Sequence, residues 1–209
     1  MTIFASDTFT GTPTTELSAY SASWVQDTPN YSTANIGTEA GTYAVAYQSI
    51  EAIYTHSATP PSADYSVFGT ISTLVASGAA YIYGVIGRKV SGADTFYLAY
   101  FDYLNSRLRL YRYTANAPTQ LGSDVAATIA QGASKSLELR MTGSTIGVYL
   151  DGVVQISLSD TNIAAAGNAG LYLKNGRVTS VNDTGGMLDW SASTPSSAAV
   201  KQLLTLGAG

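Results

Sequence analysis

The chain has 209 residues, 45% of them hydrophobic and only 11% charged, with a net charge of −4 and no cysteine. An average globular protein is roughly 25% charged, so polarity here comes from Ser, Thr, Asn, Gly and the 15 tyrosines. No basic stripe supports nucleic-acid binding through phosphates, and no apolar run approaches the roughly 18 residues of a membrane-spanning helix. Disulfides and thiolate metal sites are excluded.

The opening MTIFASDTFTG lacks the basic start and long apolar segment of a signal peptide. Strand candidates then follow from end to end: 43–48 (YAVAYQ), 65–74 (YSVFGTISTL), 81–88 (YIYGVIGR), 95–103 (TFYLAYFDY), 106–113 (SRLRLYRY), 136–142, 144–150, 153–159, 170–174 and 186–190. Most are rich in Tyr, Val, Ile, Phe and Thr and bounded by Gly, Asn, Asp or Ser. Gly143-Ser144 and Asp151-Gly152 are two-residue hairpin signals, and Asn105-Ser106 and Asn175-Gly176 are further turns. Residues 124–134 hold a short turn. Residues 195–206 (PSSAAVKQLLTL) are the best helix candidate, with Val200, Leu203, Leu204 and Leu206 largely on one side.

Many short strands without intervening helices, and without a 20–50-residue repeat, predict an all-β fold. At this length a two-sheet antiparallel jelly-roll sandwich over 1–192 is the economical choice. A linker and short C-terminal helix or tail would fill 193–209.

Three stretches resemble a known family. DTFTGTPTTELSAYSASWVQ (7–26) is similar to the opening of concanavalin A-like (laminin-G-like) jelly-roll modules, through Asp7, Phe9 and Trp24. YIYGVIGR followed by TFYLAYFDY resembles their strand ending in Arg, loop and Tyr-rich strand. LELRMTGSTIGVYLDGVVQISLSDTNIAAAGNAGLYL (137–173) resembles their second half, and LDW (188–190) their closing strand. The likeness covers about 1–190. The DTFTG-type opening also resembles modules of bacteriophage head and tail proteins.

For chemistry, some enzymes of this fold carry Glu-x-Asp-x-x-Glu on one strand. Here Glu16, Glu39, Glu51 and Glu138 each lack such partners, and glycoside hydrolysis needs two placed carboxylates. His56 is the only histidine; it precedes a double proline with no nucleophile elbow nearby, and reads as a loop or edge residue. The resemblance implies calcium where first and last strands meet, at Asp7 and Asp189, and Asp160-Thr161-Asn162 offers alternating oxygens. The competing reading is that Asp7 and Asp160 cap turns.

The tyrosines are the richest feature. In SRLRLYRY, alternation puts Arg107, Arg109, Tyr111 and Tyr113 on one face, opposite Leu108 and Leu110. If the strands are neighbours, Tyr81 and Tyr83 would join Arg109, Tyr111 and Tyr113 in a Tyr/Arg platform for sugar or partner contact. Cross-strand pairing that merely stabilises the sheet is the alternative.

The leading expectation is a non-enzymatic phage virion surface protein, a head decoration or tail component. It would be made in the host cytoplasm and held by capsid or tail proteins, with the leucine-bearing tail docking on one of them or folding back. It would also grip host-surface glycans. The alternative is a free carbohydrate-binding module or lectin, and the third reading is a glycan hydrolase. No nucleic acid or membrane partner is expected, and edge strands leave homo-oligomers open.

Overall fold

The computed structural model describes residues 1–12, 15–27, 34–36, 44–46, 51–72, 81–175 and 186–195. The strands are Ile3–Asp7 (β1), Trp24–Gln26 (β2), Ala34–Ile36 (β3), Ala44–Ala46 (β4), Glu51–His56 (β5), Tyr65–Ser72 (β6), Tyr81–Lys89 (β7) and Phe96–Asp102 (β8). They continue as Arg107–Thr114 (β9), Ala117–Gln120 (β10), Val125–Ala126 (β11), Ser134–Thr142 (β12), Thr145–Leu150 (β13), Val153–Ser159 (β14), Asn168–Asn175 (β15) and Gly186–Ser193 (β16). One single-turn helix, Leu17–Tyr20 (α1), is capped by the Glu16 carboxylate, which accepts from Ala19 N.

Two antiparallel sheets form. The first runs β14-β13-β12-β6-β16-β4-β3, with β1 also pairing β16; the second runs β10-β9-β8-β7-β15-β5-β2, with β11 also pairing β9. First and last strands are hydrogen-bonded neighbours, so the sandwich closes on its own ends. The expected turns are where left-handed backbone is needed: Ser106 (φ 51°), Gly143 (56°), Asp151 (51°) and Gly152 (76°). Residues 124–134 hold β11 and then a turn. The last strand reaches Ser193, past the expected end at 190. Of the leucine-bearing helix expected over 195–206, residues 196–206, with Val200, Leu203, Leu204 and Leu206, lie outside the described residues, as do Gly176 and Glu39.

Inward-facing residues of both sheets make one core, including Val67, Leu137, Leu139, Val85, Phe101, Leu108 and Leu171. Polar handles on buried aromatics tie the sheets together. Trp24 Nε1 of the second sheet donates to Asp7 Oδ2 of the first (2.8 Å). Trp190 Nε1 crosses back to Gly170 O (3.0 Å), and Tyr65 OH donates to Gly167 O (2.7 Å). Buried indole and phenol groups need such partners. His56 lies among these rings, stacked on Trp190 at 5.3 Å and edge-on to Trp24 at 5.3 Å. Its Nδ1 accepts from Ala58 N (3.1 Å).

Arg88 closes one end. Its guanidinium is buried and donates to three loop carbonyls: Ala63 O (2.9 Å), Ile163 O (2.7 Å) and Gly143 O (2.9 Å). Asp64 supplies countercharge at 3.6 Å. One side chain thus pins three connections that share no sequence neighbourhood.

Replacing that head group leaves three carbonyls and a carboxylate without their donor. Arg88→Met is expected to cost about 3 kcal/mol or more, read as a lowered urea midpoint at unchanged slope. A loss below about 1 kcal/mol would contradict this role. A second expectation concerns pH. Burial disfavours the imidazolium and lowers the His56 pKa below 6.5, against a smaller opposing pull from Asp7. The unfolded chain therefore binds this proton more readily. Stability is complete above pH 6.5 and declines as pH falls below it, before the carboxylates titrate. Thermal midpoints from about pH 7.5 to about 5 should fall for the native chain and stay level for His56→Asn; equal slopes would refute the assignment.

Candidate functional site

The second sheet is apolar on both faces. Every residue of β8, FYLAYFD, is buried. Tyr97, Ala99 and Phe101 enter the core. Phe96, Leu98 and Tyr100 belong to a separate cluster on the outer face, with Ile53, Ile86 and Tyr172. Register places this second cluster in rows across the strands. Phe96 pairs with Tyr113, Leu98 with Tyr111 and Tyr100 with Arg109, while Tyr172 and Tyr100 flank Gly84. A Cβ on Gly84 would meet Tyr100 Cβ and Leu98 Cδ1 at 2.9 Å. The glycine therefore leaves room for these side chains, and the Tyr100 and Tyr172 rings sit at 6.2 Å.

Over this layer lie the half-buried Tyr111 and Tyr113. Tyr113 stacks on Phe96 at 4.6 Å, and Tyr111 on Tyr100 at 5.7 Å. Burial pushes the Tyr100 phenol up to about 12 and raises Tyr113 as well, so both are neutral hydrogen-bonding groups. Arg109 rims the rings and is held by Asp124 (3.0 Å) and Asp102 (3.3 Å). Arg107 also binds Asp124 (2.7 Å), and these bonds hold the Asp124 carboxyl down at about 2.

The structure thus brings Arg109, Tyr111 and Tyr113 together but separates Tyr81 and Tyr83 from them. Tyr81 (6% exposed) and Tyr83 (2%) are in the core, stacked on each other at 6.1 Å. They were expected on the platform; instead Ile82 and Ile86 of the same strand supply its underside. The physical reason is the double burial: with both faces apolar, a strand's alternation does not say which side faces in.

At the other half of this face is a pocket that sequence reasoning missed. β7 and β15 pair Ile86 with Gly170 but Lys89 with Asn168, so β7 carries one extra residue. The bulge puts Arg88 at φ 50°, and Gly167 is needed against it, since a Cβ there would come within 2.6 Å of the Arg88 and Lys89 backbone. Bulges re-aim side chains. Here Arg88 goes to the sandwich end and Lys89 to the outer face. Lys89 Nζ donates to Ala93 O (2.6 Å), lies 5.8 Å over the Phe96 ring, and sits 2.8 Å from Asp27 Oδ2. That contact is an ion pair by distance, yet Oδ2, though buried, receives no well-directed hydrogen bond. Gln26, Asp27, Thr55, Lys89, Ser91 and Asn168 help line a pocket of about 440 Å³. The only hint in the sequence was the consecutive pair Arg88-Lys89 at a strand end.

The carboxylates considered for chemistry have structural partners. Glu16 caps α1 and accepts from Tyr54 OH and Ser18. Glu51 pairs with Lys174 (2.5 Å), and Glu138 with Arg140. Asp160 accepts from Tyr97 OH (2.7 Å) and Asn162 N (2.9 Å), and pairs with Arg112. Asp7 and Asp189 do not form the calcium site expected of them. Asp7 Oδ1 is taken by Phe9 N (2.7 Å) and Tyr20 OH (2.8 Å), and Oδ2 by Trp24. Asp189 instead accepts from Thr70 N (3.3 Å). Asp7 pairs in register with Trp190, next to Asp189, and neighbouring residues of a strand point to opposite faces. Asp7 and Asp189 are therefore not brought together as a ligand pair, and among the described residues no three His, Asp or Glu side chains are grouped to hold a metal ion.

Neither a protein-family model nor a curated protein sequence matches the chain. Solved structures do. The carbohydrate binding module CBM66 from Bacillus subtilis superposes with a TM-score of 0.58 at 16% identity, over 82% of this chain and 92% of that one. The VIP36 exoplasmic/lumenal domain in its Ca²⁺/Man3GlcNAc-bound form gives 0.59 at 10% identity, over 83% and 84%. A glycoside hydrolase family 16 endo-glucanase from Bacteroides ovatus gives 0.56 at 11% identity, over 91% and 98%. At these identities the likeness is one of architecture, and it matches the topology described above. The chain is a two-sheet antiparallel jelly roll of the concanavalin A-like fold.

Proposed function

We propose that the chain is a non-catalytic glycan-binding module that holds neutral sugars on the outer face of its second sheet. One observation carries the reading: on that face an aromatic band, Tyr111 and Tyr113 backed by Tyr100 and Phe96, runs into a polar pocket at Asp27 and Lys89. Sugar rings present C–H faces to aromatic rings and hydroxyls to amides, carboxylates and ammonium groups. β7, which carries Lys89, and β9, which carries both tyrosines, are two strand spacings apart, about 10 Å. A short oligosaccharide spans that distance.

The charges favour an uncharged ligand. Among the described residues, four cations on this face, Lys89, Lys174, Arg107 and Arg109, are matched by four carboxylates, Asp27, Glu51, Asp102 and Asp124. The structural neighbours add support, since one is a carbohydrate binding module and another is bound to a mannose-containing glycan.

Hydrolysis has less behind it, although one neighbour is a glycoside hydrolase. Paired catalytic carboxyls stand about 5–9.5 Å apart. Glu51 and Asp102 are on β5 and β8, three strand spacings or about 14 Å apart. Asp124 is held ionised by arginines, the opposite of a general acid. The virion setting expected from the opening motif has no counterpart among the structures named above, and glycan binding takes its place as the leading reading.

A panel of neutral polysaccharides in affinity electrophoresis tests the proposal. At least one should retard the native chain. Tyr111→Ala and Tyr113→Ala should each weaken that binding about tenfold, or about 1.4 kcal/mol, with the thermal midpoint little changed. Unchanged retardation in both variants, or no retardation by any polysaccharide, would refute it. Asp27→Asn should weaken binding without altering the tyrosine stack.

A further inference from the structure

The opposite side of the sandwich carries a second recess that the outer face of the second sheet does not explain. On β6 and β12, Ser66 pairs with Arg140 and Phe68 with Glu138. On the other flank, Ser193 of β16 pairs with Ser66. These side chains share the outer face of the first sheet. Ser66, Phe68, Glu138, Arg140, Thr142 and Thr194 help line a recess of about 250 Å³.

Its chemistry is pre-set. Arg140 donates to both Glu138 oxygens, Nε to Oε1 at 2.8 Å and Nη2 to Oε2 at 3.0 Å. The guanidinium is clamped from below by Tyr149, whose ring centroid lies 4.0 Å from Cζ. Tyr149 can reach under it because its ring lies over Gly147, where a Cβ would come within 2.9 Å, and Gly147 is the register partner of Arg140. The Glu138 side chain is only 5% exposed, against 43% for Arg140. Ser66 is buried, and Ser193 is wholly buried with no partner for Oγ.

We infer that this recess is a second binding site, for a single neutral sugar ring. Phe68 supplies an apolar wall. The Arg140–Glu138 pair offers donors and acceptors with no net charge, and Ser66, Thr142 and Thr194 add hydroxyls. The volume is below the roughly 300–1,000 Å³ of sites for larger ligands, so it takes one ring, not a chain. The site does not depend on the tyrosine platform. If both operate, one molecule bridges two glycans from opposite faces.

The test is an NMR titration of the full chain with methyl glycosides of neutral hexoses, pentoses and N-acetylhexosamines, with a uronic acid as control. At least one neutral glycoside should shift the Arg140 Nε–H and Thr142 amide saturably. The shift should persist in Tyr111→Ala/Tyr113→Ala, which separates this site from the platform. Phe68→Leu and Arg140→Lys should weaken it at least tenfold. No saturable shift at Arg140 from any neutral glycoside overturns the second site, whether or not the platform resonances respond. A stronger response to the uronic acid overturns the neutral-ligand assignment.

Discussion

The structure turns on a sheet that hides both of its faces. An antiparallel strand with one face in water alternates apolar and polar residues. β8 does not: all seven residues from Phe96 to Asp102 are buried. One set fills the sandwich core; the other supports Tyr111, Tyr113, Tyr100 and Tyr172 on the outside. The large outer rings need a flat, well-packed underlayer, and Leu98, Ile86 and Ile53 provide it. The same apolar layer that makes the sheet rigid therefore also sets the tyrosines in place. The first sheet is the counterpoint. Its outer face carries Ser66, Thr70, Ser136 and Ser191, with the Glu138–Arg140 pair and Asp189 among its few charges.

Holding such sheets face to face requires directional contacts as well as area. Trp24, Trp190 and Tyr65 each bury a ring in the core and send a hydrogen bond to the other sheet. Asp7 is the acceptor for one of them and also takes Tyr20 and the Phe9 amide. The left-handed backbone at Phe9 (φ 51°) and Arg88 (φ 50°) marks two places where packing outweighs local preference. At Phe9 the Asp7 carboxylate holds the turn. At Arg88 the bulge has a second structural consequence, because it turns Lys89 out to Asp27 beside the pocket on the outer face.

Much of the architecture was legible in the sequence. Residues 65–72, 81–89, 96–102, 107–114 and 134–159 are strands and turns where β-branched and aromatic runs meet Gly, Asn and Asp. The alternation in SRLRLYRY correctly sent Leu108 and Leu110 inward, because Arg107 and Arg109 marked the other side. YIYGVIGR carries no such marker before Arg88, and Tyr81 and Tyr83 were assigned to the wrong side. Glu51–His56 was missed as a strand because EAIYTH is short and its apolar residues face both ways. For Asp7 and Asp160 the competing reading, a turn cap, is the one the structure shows, through Phe9 N and Asn162 N; residue type alone does not separate a cation ligand from a hydrogen-bond hub. The pocket at Lys89 depends on a register shift, and a register shift has no residue signature of its own.

The central claim is that a neutral glycan lies on the outer face of the second sheet. A crystal of the chain soaked with a retained neutral oligosaccharide tests it most directly. The account predicts one sugar ring stacked on Tyr111 or Tyr113 and another with hydroxyls against Asp27 and Lys89. A sugar bound only elsewhere on the molecule, with the tyrosine face empty, would contradict it.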